Sequence, residues 1–352
     1  MAKKVLVTGG TGYIGSHTVV SLLESGYEVV IVDNLSNSNR EVVDGIAAIT
    51  GKKPVLEEVD CLDKPALTKV FEKHAPLDAV IHFAASKAVG ESVEKPLLYY
   101  RNNIGSLLNV LDMMLRYSVH HIVFSSSCTV YGQPDKEHLP VSELAPVQKA
   151  LSPYGHTKQV NEDILYAATY AHKELRATLL RYFNPIGAHP SALIGELPNG
   201  VPNNLLPFVT QTAAGLRDKL RVFGNDYHTP DGSCIRDYIY VVDLAKAHVK
   251  AVERMLSNAP QETITPPDAE RVEVFNLGTG RGLSVLEIVN TFMRVTGQNI
   301  PYEIVGRREG DIEQVWASPE KANRVLGWKA DTPIEQVLLS AWNWEKRIRH
   351  IQ

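Results

Sequence analysis

The stretch Val5-Leu-Val-Thr-Gly-Gly-Thr-Gly-Tyr-Ile-Gly15 decides the fold, because a short apolar run leads directly into a cluster of glycines. The cluster fits either Gly10-x-Gly12-x-x-Gly15 or Gly9-x-x-Gly12-x-x-Gly15. Glycines allow a tight turn and a close approach to a pyrophosphate, and the free amides at the start of a helix bind an anion. The stretch therefore predicts a strand, a dinucleotide-binding turn and a helix, in that order.

Apolar runs rich in valine and isoleucine recur through the first half of the chain, separated by segments with helical periodicity. The predicted strands are residues 4–7, 28–32, 54–58, 79–83, 121–125 and 178–182. Because these runs are apolar throughout, they suit strands that helices cover on both faces. The pattern predicts an α/β fold with a Rossmann-type, doubly wound parallel sheet.

Prolines and glycines become frequent in the second half, where helical periodicity persists at residues 206–216 and 285–295. Residues 259–270 carry three prolines and are predicted to form an exposed loop. We predict two domains: a Rossmann domain over residues 1–184, and a smaller mixed α/β substrate-binding lobe over residues 185–352, of which residues 234–258 return to pack on the first domain.

Charge and cysteine content narrow the possible functions. The net charge of −4 arises from 36 basic and 40 acidic residues, so no broad basic surface for nucleic acid or a membrane is expected. Cys61, Cys128 and Cys234 form no CxxC pair, and no histidines stand at metal spacing, so we expect reduced thiols and no metal. The sequence shows neither a signal peptide nor a membrane-spanning run, which favours the cytoplasm.

An acidic residue supports the dinucleotide interpretation of the glycine turn. Asp33 lies 18 residues after Gly15, at the end of the second predicted strand, where a carboxylate accepts hydrogen bonds from the adenosine ribose. The same carboxylate would repel a 2′-phosphate, which favours NAD over NADP. Further polar residues expected beside it are Asn34, Asn37, Ser38 and Asp60.

A tyrosine and a lysine form the candidate catalytic pair. Ser152 is placed to cap a helix on which Tyr154 and Lys158, at i and i+4, share one face. An ammonium there would lower the pKa of the phenol and make it a usable general base. Ser127, at the end of the fifth predicted strand, lies at the same edge of the sheet. Without Ser127, a solvated helix face with a half-buried tyrosine would be the favoured interpretation of the pair.

Together these residues resemble the short-chain dehydrogenase/reductase superfamily in its extended, nucleotide-sugar-modifying form. The resemblance covers nearly the whole chain and is most specific at residues 9–17, 33–38, 87–92, 125–132, 152–158, 180–185, 223–227 and 307–311. It implies a homodimer that interconverts UDP-galactose and UDP-glucose. In that reaction NAD takes the C4 hydride, the bound 4-keto sugar rotates, and the hydride returns to its other face.

The resemblance also implies roles for individual residues. Tyr154 is the acid/base, Lys158 binds the nicotinamide ribose, and Ser127 orients the 4-oxygen. The residues implied at the cofactor are Gly9, Gly12, Tyr13, Ile14, Gly15, Asp33, Asn34, Asn37, Ser38, Asp60, Cys61, Phe83, Ala84, Lys87, Asn102, Ser127, Tyr154, Lys158, Tyr182 and Phe183. Those implied at the substrate are Lys87, Ser127, Tyr154, Asn184, Asn204, Leu205, Phe223, Arg236, Arg308, Asp311 and Val315. The two arginines would hold the diphosphate and Phe223 the uracil.

Several alternatives stay open. Val315 stands where the family places a residue that gates the sugar pocket, and its small side chain suggests that UDP-N-acetylhexosamines are also accepted. A dehydratase is disfavoured, because Ser127 is followed by Cys128 and Thr129, where such enzymes carry carboxylates. An epimerase of UDP-uronic acids would share the catalytic trio. A non-catalytic NAD-sensing protein is the alternative from a different class.

Overall fold

The computed structural model describes residues 2–257, 259–263, 271–308 and 311–351. Most of the loop predicted at residues 259–270 lies outside these described residues. So do Glu309 and Gly310, two members of the segment 307–311.

A parallel sheet forms the centre of the molecule, as the sequence predicts. The strands in chain order are β1 (Lys4–Thr8), β2 (Glu28–Asp33), β3 (Val55–Glu58), β4 (Ala79–His82), β5 (His121–Ser127), β6 (Arg176–Tyr182), β7 (Asn184–Ile186), β8 (Leu220–Phe223), β9 (Ile235–Arg236), β10 (Tyr238–Tyr240), β11 (Val272–Leu277), β12 (Leu283–Ser284), β13 (Tyr302–Val305) and β14 (Gln314–Val315). Within the described residues, seven of them pair in the order β11-β6-β5-β4-β1-β2-β3, all in parallel.

Helices cover both faces of this sheet. In chain order, the α-helices of the described residues, in both lobes, are α1 (Tyr13–Glu24), α2 (Glu41–Thr50), α3 (Lys64–His74), α4 (Val89–Glu94), α5 (Pro96–Tyr99), α6 (Gly105–Arg116), α7 (Pro153–Ala171), α8 (Leu205–Ala213), α9 (Val241–Leu256), α10 (Val285–Thr296), α11 (Glu320–Val325) and α12 (Ile334–Arg349). Side chains of α1, α2 and α9 share one apolar core with the sheet, and side chains of α3, α6 and α7 share another. This two-sided burial explains why the strands are apolar throughout.

The second half of the chain builds a smaller lobe with its own apolar core, formed largely by α8, α10 and α12. Three short sheets, β12-β9-β14, β13-β8 and β10-β7, accompany it. Two segments return to the main sheet: α9 packs against α1, and β11 pairs with β6. Strand β11 was not among the predicted strands. None of the helices within the described residues is long and apolar enough to cross a membrane.

Candidate active site

The carboxyl ends of the parallel strands meet at one edge of the sheet and bring the predicted site residues there. Thr8, Asp33, His82, Ser127 and Tyr182 are the last residues of β1, β2, β4, β5 and β6. All five are at least nine-tenths buried. A site at this edge is therefore enclosed by the ends of the strands.

The glycine turn connects β1 to α1 as predicted. Gly9 has φ +69°, and a Cβ there would lie 2.8 Å from the Ala84 amide nitrogen. A Cβ at Gly15 would overlap the Gly9 carbonyl oxygen and lie 2.9 Å from Gly10 Cα. Backbone atoms cannot rotate out of the way, so this close packing requires glycine. Gly12 precedes α1, and no side chain among the described residues caps the helix.

The side chains after β2 form a polar cluster around Asp33. Its carboxylate accepts hydrogen bonds from the Thr11 amide (3.1 Å) and the Leu35 amide (2.9 Å). The Ser38 hydroxyl lies 3.4 Å from the same carboxylate. Other predicted residues lie nearby: Asn34 Nδ2 donates to Asp60 at 3.0 Å, Asn37 is exposed in the same loop, and Cys61 is buried.

Three predicted catalytic residues come together where β5 meets α7. Ser152 Oγ caps α7 by accepting from the Gly155 amide (3.1 Å). Ser127 hydrogen-bonds the Tyr154 side chain, which lowers the pKa of the phenol, but burial outweighs this and raises that pKa to about 12. The expected lowering by Lys158 is absent. The reason is that its ammonium donates to the Ser125 carbonyl (2.5 Å) and lies 5.9 Å from the centre of the Tyr154 ring.

Lys158 connects this group to the glycine turn. Burial lowers the pKa of Lys158 to about 8. His82 lies near the ammonium, and burial together with that positive charge lowers the pKa of His82 to about 3. Its Nδ1 lies 2.8 Å from the hydroxyl of Thr8, the residue before the turn. The candidate base and the cofactor turn thus face the same space.

Other predicted cofactor residues surround that space. The Ala84 amide donates to the Thr8 hydroxyl (3.3 Å), and Asn102 Nδ2 donates to Ser86 Oγ (3.1 Å). Tyr13 donates its hydroxyl to the Gly187 carbonyl (2.6 Å). Tyr182, a further predicted cofactor residue, bonds His248 Nε2 through its hydroxyl (2.7 Å), and its ring is buried in the core. Ile14 packs in the adjoining core, and the partly buried Phe83 lies with its ring 4.8 Å from His248.

Two groups of predicted substrate residues lie in the second lobe. The first is on the small sheet, where Arg236 and Val315 are aligned on neighbouring strands β9 and β14. Arg236 lies close enough to Cys128, the residue after Ser127, for its positive charge to act on the thiol. Burial raises the pKa of Cys128 to about 12, and the charge of Arg236 partly offsets this effect. Val315 is buried with Phe183 in a small apolar cluster.

The second group joins Arg308, Asp311 and Phe223. Arg308 donates to the Asp311 carboxylate (2.7 Å), and its guanidinium lies 5.4 Å from the centre of the Phe223 ring. Phe223 is 37% exposed, so its ring is free to contact a flat ligand. Arg308 and Phe223 form an exposed patch that combines a cation with an aromatic face, and the less exposed Asp311 pairs with the cation.

Glu196 is a residue that the sequence analysis missed. It accepts from Asn204 Nδ2 (2.7 Å) and lies 3.7 Å from the Lys87 ammonium, so it connects two predicted substrate contacts. Asn204 directly precedes α8, which begins at Leu205. A glutamate next to glycine in a loop rich in proline carries no pattern that would have revealed this role.

Asp237 is a second missed residue. Its fully buried carboxylate accepts from the Thr279 and Ala317 amides at 2.8 and 3.1 Å, and its carbonyl accepts from the Asn184 amide (2.9 Å). It thereby ties the strand of Arg236 to the loops around it. Asp237 directly follows Arg236, a predicted phosphate-binding residue, and this position in the sequence could have indicated its role.

The chain is similar to known proteins over most of its length. The model of the NAD dependent epimerase/dehydratase family matches residues 5–265. The chain belongs to this family. A UDP-glucose 4-epimerase of Yersinia enterocolitica is 49% identical over 342 residues, 97% of each chain, and one of Bacillus subtilis is 51% identical over 341 residues, 97% of this chain and 96% of that one. The crystal structure of the Bifidobacterium longum enzyme in complex with NAD+ and UDP superposes with a TM-score of 0.91 at 43% identity, covering 99% of this chain and all of the other.

The chain uses NAD, as members of the epimerase/dehydratase family do. The residues present fit this cofactor. The glycines keep side chains out of the turn, and α1 presents its first amides there without a capping side chain from the described residues. The buried carboxylate of Asp33 stands at the end of β2, where a ribose hydroxyl is bound in this fold.

Proposed function

We propose that the chain is an NAD-dependent isomerase that interconverts UDP-galactose and UDP-glucose at C4 of the hexose. The observation that carries the proposal is the junction of β5 and α7, where Ser127 and Tyr154 are hydrogen-bonded and Lys158 is buried beside them. Relatives of nearly equal length with this activity support the choice of substrate.

Each side chain has a distinct task in this proposal. Bound NAD supplies reversible hydride transfer. Tyr154 accepts and returns the proton of the sugar 4-oxygen, and the hydrogen bond from Ser127 favours its phenolate form. Arg236 and Arg308 bind the diphosphate, and Phe223 packs beside the uracil. Binding held by the nucleotide leaves the hexose free to turn over between the two half-reactions.

The deciding experiment offers UDP-galactose to the purified protein, first without and then with added NAD. We expect UDP-glucose to form until the two sugars reach equilibrium, with no net accumulation of NADH, because the reaction is redox-neutral. Chromatography of the nucleotide sugars and absorbance at the NADH band measure both quantities.

Other outcomes identify the alternatives. A protein inert on UDP-galactose but active on a UDP-uronic acid would be the other epimerase. A dehydrated 4-keto product would indicate a dehydratase. Binding of NAD without turnover of any UDP-hexose would indicate a sensor and would overturn the proposal.

We also propose that N-acetylated UDP-hexosamines are substrates, because Val315 is small and lies beside Arg236 on the neighbouring strand. We expect Val315→Tyr to keep activity on UDP-galactose within about tenfold and to lose most activity on UDP-N-acetylglucosamine, since an added ring restricts the pocket. Comparison of kcat/KM for the two sugars in both proteins measures this. A wild type inactive on the N-acetylated sugar would refute the idea.

Domain division, assembly and compartment stay proposals. We place the NAD domain at residues 1–184 and the UDP-sugar lobe at 185–352, with residues 234–258 returning to the NAD domain, which the packing of α9 on α1 supports.

We propose that the chain forms a homodimer. Exposed apolar side chains on α4 and α5, namely Val93, Leu97 and Leu98, support this proposal, and sedimentation measures the oligomeric state. Three free cysteines support the cytoplasm, which cell fractionation tests.

A further inference from the structure

Three consecutive serines at the end of β5 each hold one residue of a single face of α7. Ser127 hydrogen-bonds Tyr154, and the Ser125 carbonyl accepts from the Lys158 ammonium at 2.5 Å. Ser126 donates its hydroxyl to the Glu162 carboxylate, also at 2.5 Å. The three helix residues stand at i, i+4 and i+8, which lie along one face of a helix.

Glu162 is only 4% exposed, although its side chain carries a charge. Arg181 on β6 binds its carboxylate with two nitrogens, Nε at 2.9 Å and Nη2 at 2.5 Å. Arg181 is equally buried, and it also donates to the Tyr131 hydroxyl (2.9 Å). A buried ion pair of this kind is weak evidence for stability, because desolvation offsets the attraction of the charges. Its location directly below the catalytic pair calls for another explanation.

We propose that Glu162 is a positioning residue, which fixes α7 on the end of β5 through Ser126 and shares its negative charge between Arg181 and the Lys158 ammonium. The proposal rests on the function proposed above. Glu162 touches neither substrate nor cofactor in this scheme. It acts through Lys158, whose charged form it favours and whose place one helical turn from Tyr154 it holds.

Other groups around Lys158 bear on its charge. Tyr154 lies on the same helix, His82 on β4, and the Phe124 ring on β5 lies 4.9 Å from the ammonium. Tyr182 on β6 and Cys128 after β5 face Tyr154 and are neutral at physiological pH, because burial raises the pKa of both. Burial also keeps His82 neutral. Among these groups Glu162 is the anion. Burial lowers the pKa of Lys158 to about 8, and the negative charge of Glu162 raises that pKa in the opposite direction.

The test uses two substitutions with opposite expected effects on the NAD-loaded enzyme. Glu162→Gln removes the negative charge beside Lys158, so the loss of kcat/KM at high pH should begin about one pH unit lower. Arg181→Gln leaves the carboxylate with Lys158 as its remaining nearby cation, so the same loss should begin at higher pH. Calorimetric measurement of NAD affinity across that pH range should show the same two shifts without any turnover.

A matched control is the ion pair of Arg254 on α9 and the buried Glu273 on β11, where Glu273 aligns with Thr178 near the amino end of β6. Glu273→Gln also removes the carboxylate partner of a partly buried arginine, so it should lower thermal stability without moving the pH profile. Movement of the profile in the same direction by both test variants, or equally by Glu273→Gln, would overturn the proposal.

Ser126→Ala covers the case in which neither charge variant folds. It removes one hydrogen bond and leaves all charges in place, so kcat should fall about 3–10-fold with KM unchanged. An unchanged kcat would overturn the proposal. A wild-type protein inert on UDP-galactose would instead overturn the proposed function, so the two failures are distinguishable.

Discussion

The Tyr154→Phe variant is expected to convert UDP-galactose about 10²–10⁴-fold more slowly than the wild type, because it lacks the group that exchanges a proton with the 4-oxygen. The substitution keeps the ring and removes the hydroxyl that Ser127 binds. The fold and NAD binding should therefore survive. Initial rates measure the loss of kcat, and calorimetry with NAD and with UDP measures what remains.

Tyr170→Phe is the matched control, since Tyr170 lies on the same helix α7 and its ring is exposed beside Lys173. Its activity should equal that of the wild type. A Tyr154→Phe variant that retained more than a tenth of the wild-type rate would show that another group carries the proton.

Gly15→Ala is expected to weaken NAD binding. The added Cβ would overlap the Gly9 carbonyl oxygen and approach Gly10 Cα to 2.9 Å, so the turn must shift. Overpacking of this kind costs about 1–3 kcal/mol, and a displaced turn should weaken NAD binding by about 10–100-fold. Calorimetry and thermal unfolding, each with and without NAD, measure the two effects.

Gly90→Ala separates this close packing from a general effect of losing a glycine. Gly90 lies in α4, and a Cβ there would meet no heavy atom within 4 Å. Alanine also has the better helix propensity, so stability and NAD affinity should be unchanged or slightly improved. Equal NAD affinity in the Gly15→Ala protein and the wild type would contradict the tight turn described above.

The sequence predicted features that depend on neighbouring residues. The glycine turn, the cap at Ser152 and the Tyr154–Lys158 face are local patterns, and the structure places each of them as expected. The alternation of strands and helices could also be predicted from the sequence, because a sheet buried on both faces requires apolar strands. The family resemblance then supplied the substrate, which no local pattern specifies.

The features that could not be predicted from the sequence depend on packing between separate elements of the fold. The pKa of Tyr154 depends on its burial, which outweighs its hydrogen bond to Ser127. The buried position of Glu162 depends on Arg181, which β6 places against its carboxylate. Glu196 meets Asn204, eight residues later, and also Lys87, which is far away in the chain. Each case depends on contacts between residues that no periodicity relates.

Strand β11 has a consequence for the order in which the chain is completed during synthesis. Its partner β6 ends at Tyr182, whereas β11 begins at Val272, so β6 leaves the ribosome long before the strand that covers its outer side. Until then its backbone amides and carbonyls form an open edge, on which a second nascent chain can pair. The nascent chain is therefore open to misassembly at β6 until residues 272–277 have been synthesised and can pair with it.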